Sequence, residues 1–309
     1  MRIISLFCGA GGMDLGFIKA GHEIVWSNDN DQDSCKTYER NLGHKPLCID
    51  IEKIPSSDIP DGDVVIGGFP CQGFSIANPY RKTEDSRNRL YLEMLRIIKD
   101  KKPKYFVGEN VTGLCSIGGY ETKEDKKNHI GRVLKMIIKD FENAGYNVEV
   151  KILNSADFGV PQIRKRVLIL GTKNGMPYKL KHPDSTHQKE NWKTVGETLK
   201  GLPLEYSAEI PNHQGTAHKV KINGHLGNRE TKENKPSPTI VGRGGGTGGP
   251  VIIPHPSGQR RMTVRETARL QNFPDDFVFE GAVSSQYRQI GNAVPWPLAY
   301  HVAKKIPLK

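Results

Sequence analysis

Short apolar runs alternate with longer stretches of helical periodicity through the first 171 residues, and this alternation limits the chain to few architectures. Residues 2–7 form an apolar run that ends in glycines and read as a buried strand. Residues 12–20 follow as a helix, 22–27 as a second strand and 31–41 as a second helix, with further strands at 46–50 and 63–67. Leu90, Met94, Ile97 and Ile98 fall on one helical face, and residues 105–107 read as another strand. The clearest amphipathic helix carries Ile130, Val133, Leu134, Ile137, Ile138 and Phe141 along a single stripe. Strands at 148–153 and 167–170 close the series. Strands separated by helices of this length predict a doubly wound α/β sheet.

The pattern changes after Gly171. Residues 172–261 are rich in Gly, Pro, Asn, Lys and His and show little periodicity. Between Lys173 and Arg261 there are 14 Lys and Arg against 7 Asp and Glu, so most of the chain's net charge of +11 lies here. The expected organisation is a first domain at 1–171, a second, smaller, loop-rich domain at 172–261, and a C-terminal segment at 262–309 that returns to the first. That segment holds helices at 263–270 and 297–306. The run from Gly242 to Gly249 lacks the Lys-Ser/Thr of a phosphate-binding loop, leaving a flexible loop or a close backbone approach to a ligand.

A basic surface favours a polyanionic partner, nucleic acid above all. The five cysteines are scattered and contain no CxxC pair, and the ten histidines form no HExxH, so neither a disulfide framework nor a metal site is expected. A reduced, cytoplasmic compartment fits this usage. No window approaches the roughly 20 apolar residues of a membrane span, so no membrane association is expected.

Two groups of residues carry candidate chemistry. Phe7-Cys8-Gly9-Ala10-Gly11-Gly12 lies between the first strand and the first helix, where Gly9 and Gly11 let the backbone turn sharply beside a nucleotide-like cofactor. With Gly9 as the first position, the sixth is not the glycine of a dinucleotide fingerprint: Asp14 stands where GxGxxG requires it, which points away from a pyrophosphate. Asp29 follows the second strand and Asp50 comes at the end of the third, where they are either solvated acids or acceptors for ribose hydroxyls and an adenine amino group. The second group starts at Pro70-Cys71-Gln72, after the fourth strand. Cys71 reads either as a small buried hydrophobe or as a nucleophile, and its loop-forming neighbours favour the second. Glu109 ends the next strand, and Arg164 and Arg166 would share one face of a later one, so Glu109 either forms a simple ion pair or has a chemical task.

These residues closely resemble the motifs of the DNA cytosine-5 methyltransferases of bacterial restriction–modification systems. The resemblance runs in order through Phe7-x-Gly9-x-Gly11-Gly12, Pro70-Cys71-Gln72, Glu109-Asn110-Val111 and Gln162-x-Arg164-x-Arg166. It continues through Arg265-Glu266-x-Ala268-Arg269-Leu270-Gln271-x-Phe273-Pro274 and Gln289-Ile290-Gly291-Asn292-Ala293-Val294-Pro295. Phe69 stands where many members have proline, and Asp29 where many have glutamate. The resemblance implies a Rossmann-like methyltransferase sheet with a target-recognition domain at 172–261, S-adenosylmethionine as cofactor, duplex DNA as partner, a monomer and a bacterial cytoplasmic location. It implies cofactor contacts at Phe7, Gly9, Gly11, Gly12, Asp29, Asp50, Ile51, Pro70 and Asn292, and catalysis by Cys71, Glu109, Arg164 and Arg166.

The chemistry that this implies is covalent. A Cys71 thiolate adding at C6 makes C5 of cytosine nucleophilic. Glu109, protonated or sharing a proton with N3, relieves the charge that develops on the ring, and Arg166 bonds O2 and orients Glu109, with Arg164 the second candidate. The base that later takes the C5 proton is not named by the sequence. The target must leave the base stack. The charged segment 75–89, with Arg81, Lys82, Arg87 and Arg89, reads as a loop able to close over it. Arg229 and Arg243 are candidates for reading base edges. A tRNA cytosine-5 methyltransferase shares these motifs and is the alternative.

Overall fold

The structure, a computed structural model, describes residues 1–69, 90–215, 230–242, 253–258 and 260–308. Among these, seven strands form one sheet in the order β3-β2-β1-β4-β5-β7-β6. The strands are β1 (Arg2–Leu6), β2 (Glu23–Asp29), β3 (Leu47–Cys48), β4 (Val64–Gly67), β5 (Tyr105–Val111), β6 (Tyr146–Asn154) and β7 (Lys165–Lys173). The helices are α1 (Gly12–Lys19), α2 (Gln32–Leu42), α3 (Leu90–Lys101), α4 (Lys123–Lys127), α5 (Arg132–Asn143), α6 (Val195–Leu199), α7 (Val264–Leu270), α8 (Val283–Asn292) and α9 (Trp296–Ala303).

Residues of period two place the sheet between two apolar layers. Ile4, Leu6, Val65, Phe106, Val167 and Ile169 face α3 and α5, whose Met94, Ile97, Leu134, Ile137 and Phe141 complete that core. Ile3, Val64, Ile66, Tyr105, Val107, Leu168 and Leu170 face the other way, onto Phe17 of α1 and Leu298 and Val302 of α9. The chain winds from β1 through β2 to β3 on one side, then from β4 to β5 on the other, so the direction switches between β1 and β4. Ligand crevices of open α/β sheets lie at such a switch, beyond the carboxyl ends of the strands.

The last two strands depart from a wholly parallel winding. β7 enters between β5 and β6 and runs antiparallel to both. The connection from β6 to β7 holds only the short 3-10 turn Ser155–Phe158, too little chain for a parallel crossover. As a result the start of β7 lies at the same sheet edge as the ends of β1, β4 and β5. β5 also runs to Val111, well past the predicted 105–107, because Glu109 and Asn110 remain paired with Leu168 and Val167. Polarity hides such residues from a hydrophobic pattern. α8 was likewise invisible: its sequence VSSQYRQIGN buries Gln286 and Gln289 alongside Tyr287 and Ile290. α9 spans Trp296–Ala303, against the predicted 297–306.

The described part of 172–261 does not stand clear of the rest. Val195, Leu199, Ile240 and Ile253 share a third core with Met262, Val264, Leu270, Phe273, Tyr287 and Ile290. Among the described residues no helix is long and apolar enough to cross a membrane. Pro70, Cys71, the segment 75–89, Arg229 and Arg243 lie outside the described residues, as does most of the glycine run that begins at Gly242.

Candidate active site

One cavity of about 800 Å³ opens at the switch point. Its walls include Phe7, Gly9, Gly12, Asp29, Asp50, Ile51, Glu109, Arg164, Arg166 and Asn292. Residues spread over most of the chain therefore meet in one concave space: most lie at strand ends, in the turns that follow them or at the entry to β7, and Asn292 comes from the end of α8.

The first wall is the turn between β1 and α1. Phe7, Gly9 and Gly11 all take positive φ, at 53°, 54° and 87°. For a bulky residue such as Phe7 this conformation is strained, and strain of this kind persists only where surrounding contacts enforce it. The enforcement is visible. Gly9 N donates to Asp29 Oδ2 at 2.8 Å, and Asp31 N donates to Asp29 Oδ1 at 2.9 Å. Each Asp29 oxygen keeps a further lone pair for a ligand. Burial pushes the Asp29 carboxyl above the ordinary carboxylate range, against its backbone hydrogen bonds. Gly11 does not line the cavity; a Cβ there would strike Leu42 and Tyr38 of α2. Gly12 packs α1 against the Val294 carbonyl. Asp50 caps the 3-10 turn Ile51–Lys53, its Oδ1 accepting from Glu52 N at 3.2 Å.

The opposite wall is built by β5 and β7. Glu109 lies opposite Leu168 in the antiparallel ladder, and Arg166 lies opposite Val111. The two charged residues are thus diagonal neighbours on one face of the sheet, within reach of each other. Arg166 Nε donates to Glu109 Oε1 at 2.8 Å, with both side chains nearly buried, and Arg166 Nη1 donates to the Lys165 carbonyl at 2.8 Å. Glu109 Oε2 has no hydrogen bond among the described residues. Burial lowers the Arg166 pKa, and the Glu109 charge works against that.

Arg164 behaves differently from Arg166. β7 begins only at Lys165, so Arg164 precedes the strand. Its Nη1 donates to the Ile240 carbonyl at 2.6 Å, and its Nη2 to the carbonyls of Gly291 and Ala293 at 2.8 and 3.0 Å. Only Nε lacks a partner among the described residues. This guanidinium, 1% exposed, is committed to backbone and ties residue 240 to the end of α8.

Several residues not singled out in the sequence support the site. Asn110 alternates with Glu109 on β5 and so points to the other face. Its Nδ2 donates to the Phe69 carbonyl at 2.9 Å, and its Oδ1 accepts from Val111 N. The residue two before Cys71 is thereby fixed to the strand that carries Glu109. Gln162 accepts from Ile240 N at 2.9 Å and donates to Gln271 Oε1 at 3.0 Å. Both residues stood inside recognisable motifs, and strand alternation was the available signal for Asn110. Asp14, 0% exposed, accepts from Ser5 Oγ at 2.8 Å and Tyr38 Oη at 2.6 Å. An acid in the first turn of a helix reads in sequence as a surface residue favouring the helix dipole, so the sequence shows Asp14 only as a departure from GxGxxG and not as a buried acid. At the cavity mouth Arg288 pairs with Asp31 at 2.8 Å. Among the described residues no group of three or more His, Cys, Asp or Glu is placed to hold a metal ion.

Known proteins are similar to this chain in sequence and in fold. The family model described as C-5 cytosine-specific DNA methylase matches residues 1–307. The chain is 39% identical over 335 residues to the Type II methyltransferase M.NgoFVII of Neisseria gonorrhoeae, covering 99% of this chain and 86% of that protein. It is 35% identical over 334 residues to the Type II methyltransferase M.FnuDI of Fusobacterium nucleatum, covering 99% and 94%. A solved structure described as a DNA modification methyltransferase encoded within an E. coli prophage matches with a TM-score of 0.73 at 25% identity, covering 99% of this chain and 98% of that one.

Proposed function

The chain belongs to the C-5 cytosine-specific DNA methylase family and is a DNA cytosine-5 methyltransferase of restriction–modification type, and on that premise we propose how its residues divide the work. The substrate is a cytosine flipped out of duplex DNA, and the cofactor is S-adenosylmethionine. Cys71 is the nucleophile. Residues 172–261 form the target-recognition region, which contacts phosphates and base edges.

The donor set supports this cofactor. A Cβ on Gly9 would meet no atom within 4 Å, so open space lies beside the turn where a ligand can approach the backbone. Asp29 retains lone pairs that would accept from ribose hydroxyls, Asp50 and Ile51 would hold the adenine, and Phe7, Ile51 and Phe69 would offer apolar faces to a purine ring. Gly12 and Asn292 line the part of the cavity toward α8. When bound, S-adenosylmethionine supplies the methyl group that C5 takes up.

On the base side, the Cys71 thiolate bonds to C6, and the ring electrons displaced from the C5–C6 double bond make C5 nucleophilic. Glu109, through Oε2, faces N3 and holds the proton that neutralises the ring. Arg166 fixes Glu109 through Oε1 and presents its remaining N–H toward O2. Once C5 is methylated, transfer of the C5 proton to a water acting as base returns the electron pair to the ring and expels the Cys71 sulfur as thiolate, while the shared N3 proton returns to Glu109. Arg164 is a positioning residue, because both of its terminal nitrogens already donate to backbone carbonyls. The observation that carries this reading is the Glu109–Arg166 pair, at 2.8 Å, on the wall of the cavity that also holds the glycine turn and Asp29.

Transfer of labelled methyl from S-adenosylmethionine tests the substrate. The wild type is expected to label duplex DNA but not tRNA, with bisulfite sequencing placing 5-methylcytosine in one sequence context, and Cys71→Ser to label neither. Label entering tRNA alone would overturn the substrate assignment.

A further inference from the structure

Two buried or partly buried carboxylates beneath the glycine turn have no cation of their own. Asp14 is wholly buried and held by two hydroxyls, Ser5 Oγ and Tyr38 Oη. Asp29 is held by two backbone N–H groups. Neither forms an ion pair among the described residues, whereas two of the cavity's other three acids do, Glu109 with Arg166 and Asp31 with Arg288; the third, Asp50, is the less enclosed cap of a surface turn. An uncompensated buried charge is costly, and it normally neutralises or finds a partner. Here the missing partner is a positive charge, and the space beside these acids is the cavity itself.

We propose that Asp14, together with Asp29, makes this cavity discriminate by charge, favouring a cationic sulfonium donor over the neutral thioether left after methyl transfer. The inference rests on the cofactor reading above and deepens it. Asp14 acts through space as a specificity residue, since both of its oxygens are engaged by protein hydroxyls. S-adenosylmethionine and S-adenosylhomocysteine share their adenosine and amino-acid groups and differ by one methyl group and one positive charge at sulfur. The ratio of their affinities therefore isolates the charge. A site selective in this way would release its spent product more readily.

The groups facing Asp14 support a titratable preference. β1 presents Ser5, and the turn presents Cys8, whose thiol is pushed up first by burial and then by Asp14 and Asp29. β2 ends in Asp29 and α2 presents Tyr38. The junction of α8 and α9 contributes Asn292, Ala293 and Val294, none of them titratable. Burial raises the Asp14 carboxyl to about 6, with the Tyr38 and Ser5 hydrogen bonds opposing the rise. The carboxylate is thus charged above about pH 6 and loses its charge below it. A ligand cation that lowered this pKa by about one unit would bind about ten-fold more tightly to the charged form.

The test is isothermal titration calorimetry of both ligands from about pH 5 to about pH 8, a range that spans the Asp14 transition. In the wild type the preference for S-adenosylmethionine is expected to grow about ten-fold as pH rises. Asp14→Asn should lower that preference at high pH and flatten its growth, any remaining slope belonging to Asp29. Tyr38→Phe removes a hydrogen bond to the charged form, so the midpoint of the change should move to higher pH. This second variant decides the matter if Asp14→Asn does not fold. A wild-type ratio that is flat with pH, or one that Asp14→Asn and Tyr38→Phe leave unchanged, would overturn the proposal while the cofactor reading stands. Binding of neither ligand by the wild type would overturn both.

Discussion

Glu109 has one oxygen tied to Arg166 at 2.8 Å and the other without a hydrogen bond among the described residues, and this asymmetry lets a carboxyl be held firmly while serving a substrate. Glu109→Gln keeps the shape but removes the shared proton. Single-turnover methylation should slow by about 10²–10⁴-fold, the range for a positioned acid or base, with cofactor affinity in calorimetry unchanged. An unchanged rate would remove Glu109 from the chemistry. Asn110 acts one step back, through the Phe69 carbonyl. Asn110→Ala should cost about 1–3 kcal/mol in urea unfolding by leaving a buried acceptor unpaired, and should lower kcat more than it alters the KM for DNA. Glu109 and Arg166 were legible in the sequence because a charge at the end of a buried strand demands a partner. Asp14 was not, because its partners Ser5 and Tyr38 arrive from two other elements and its helix position suggests an exposed acid.

Elements matter here by how closely they can approach. Gly291, near the end of α8, lies so near the backbone of Val241 that a Cβ would collide with it. Arg164 closes the same junction through the carbonyls of Ile240, Gly291 and Ala293. Gly291→Ala should therefore destabilise the protein by about 1–3 kcal/mol, the usual cost of overpacking. Arg164→Met should cost at least about 3 kcal/mol by stranding three carbonyls, and chemical denaturation checks both. If Arg164→Met left stability intact and abolished only activity, Arg164 would instead belong to the chemistry. The strands and the helices with an apolar stripe were readable from periodicity, as in α5. α8 was not, since it turns glutamines and a tyrosine inward and holds them by hydrogen bonds such as Tyr287 Oη to the Met262 carbonyl and Gln286 Nε2 to the Gly281 carbonyl. The antiparallel entry of β7 was equally hidden, because an apolar run has no direction.

At the scale of the whole molecule, the net charge of +11 and its concentration in 172–261 predict a strong salt response. If about six phosphates are neutralised, DNA affinity measured by fluorescence anisotropy should fall about 10³-fold between about 50 and about 200 mM salt. A salt-independent affinity would exclude that region as the electrostatic contact. The alternation of strand and helix sufficed to read the doubly wound sheet, and motif order sufficed to read the family. The packing of 172–261 was not readable: loop-rich sequence has no period to report that Val195, Leu199 and Ile240 join the core of α7 and α8. The most direct test of the account joins all three scales. A duplex oligonucleotide carrying 5-fluorocytosine at the target position, which has no C5 proton to lose, is incubated with the enzyme and S-adenosylmethionine, and the adduct is mapped by mass spectrometry. The account predicts a stable bond from the Cys71 sulfur to the base, formed in the wild type and absent in Cys71→Ser. An adduct on another side chain, or none from enzyme that methylates the unfluorinated duplex, would contradict it.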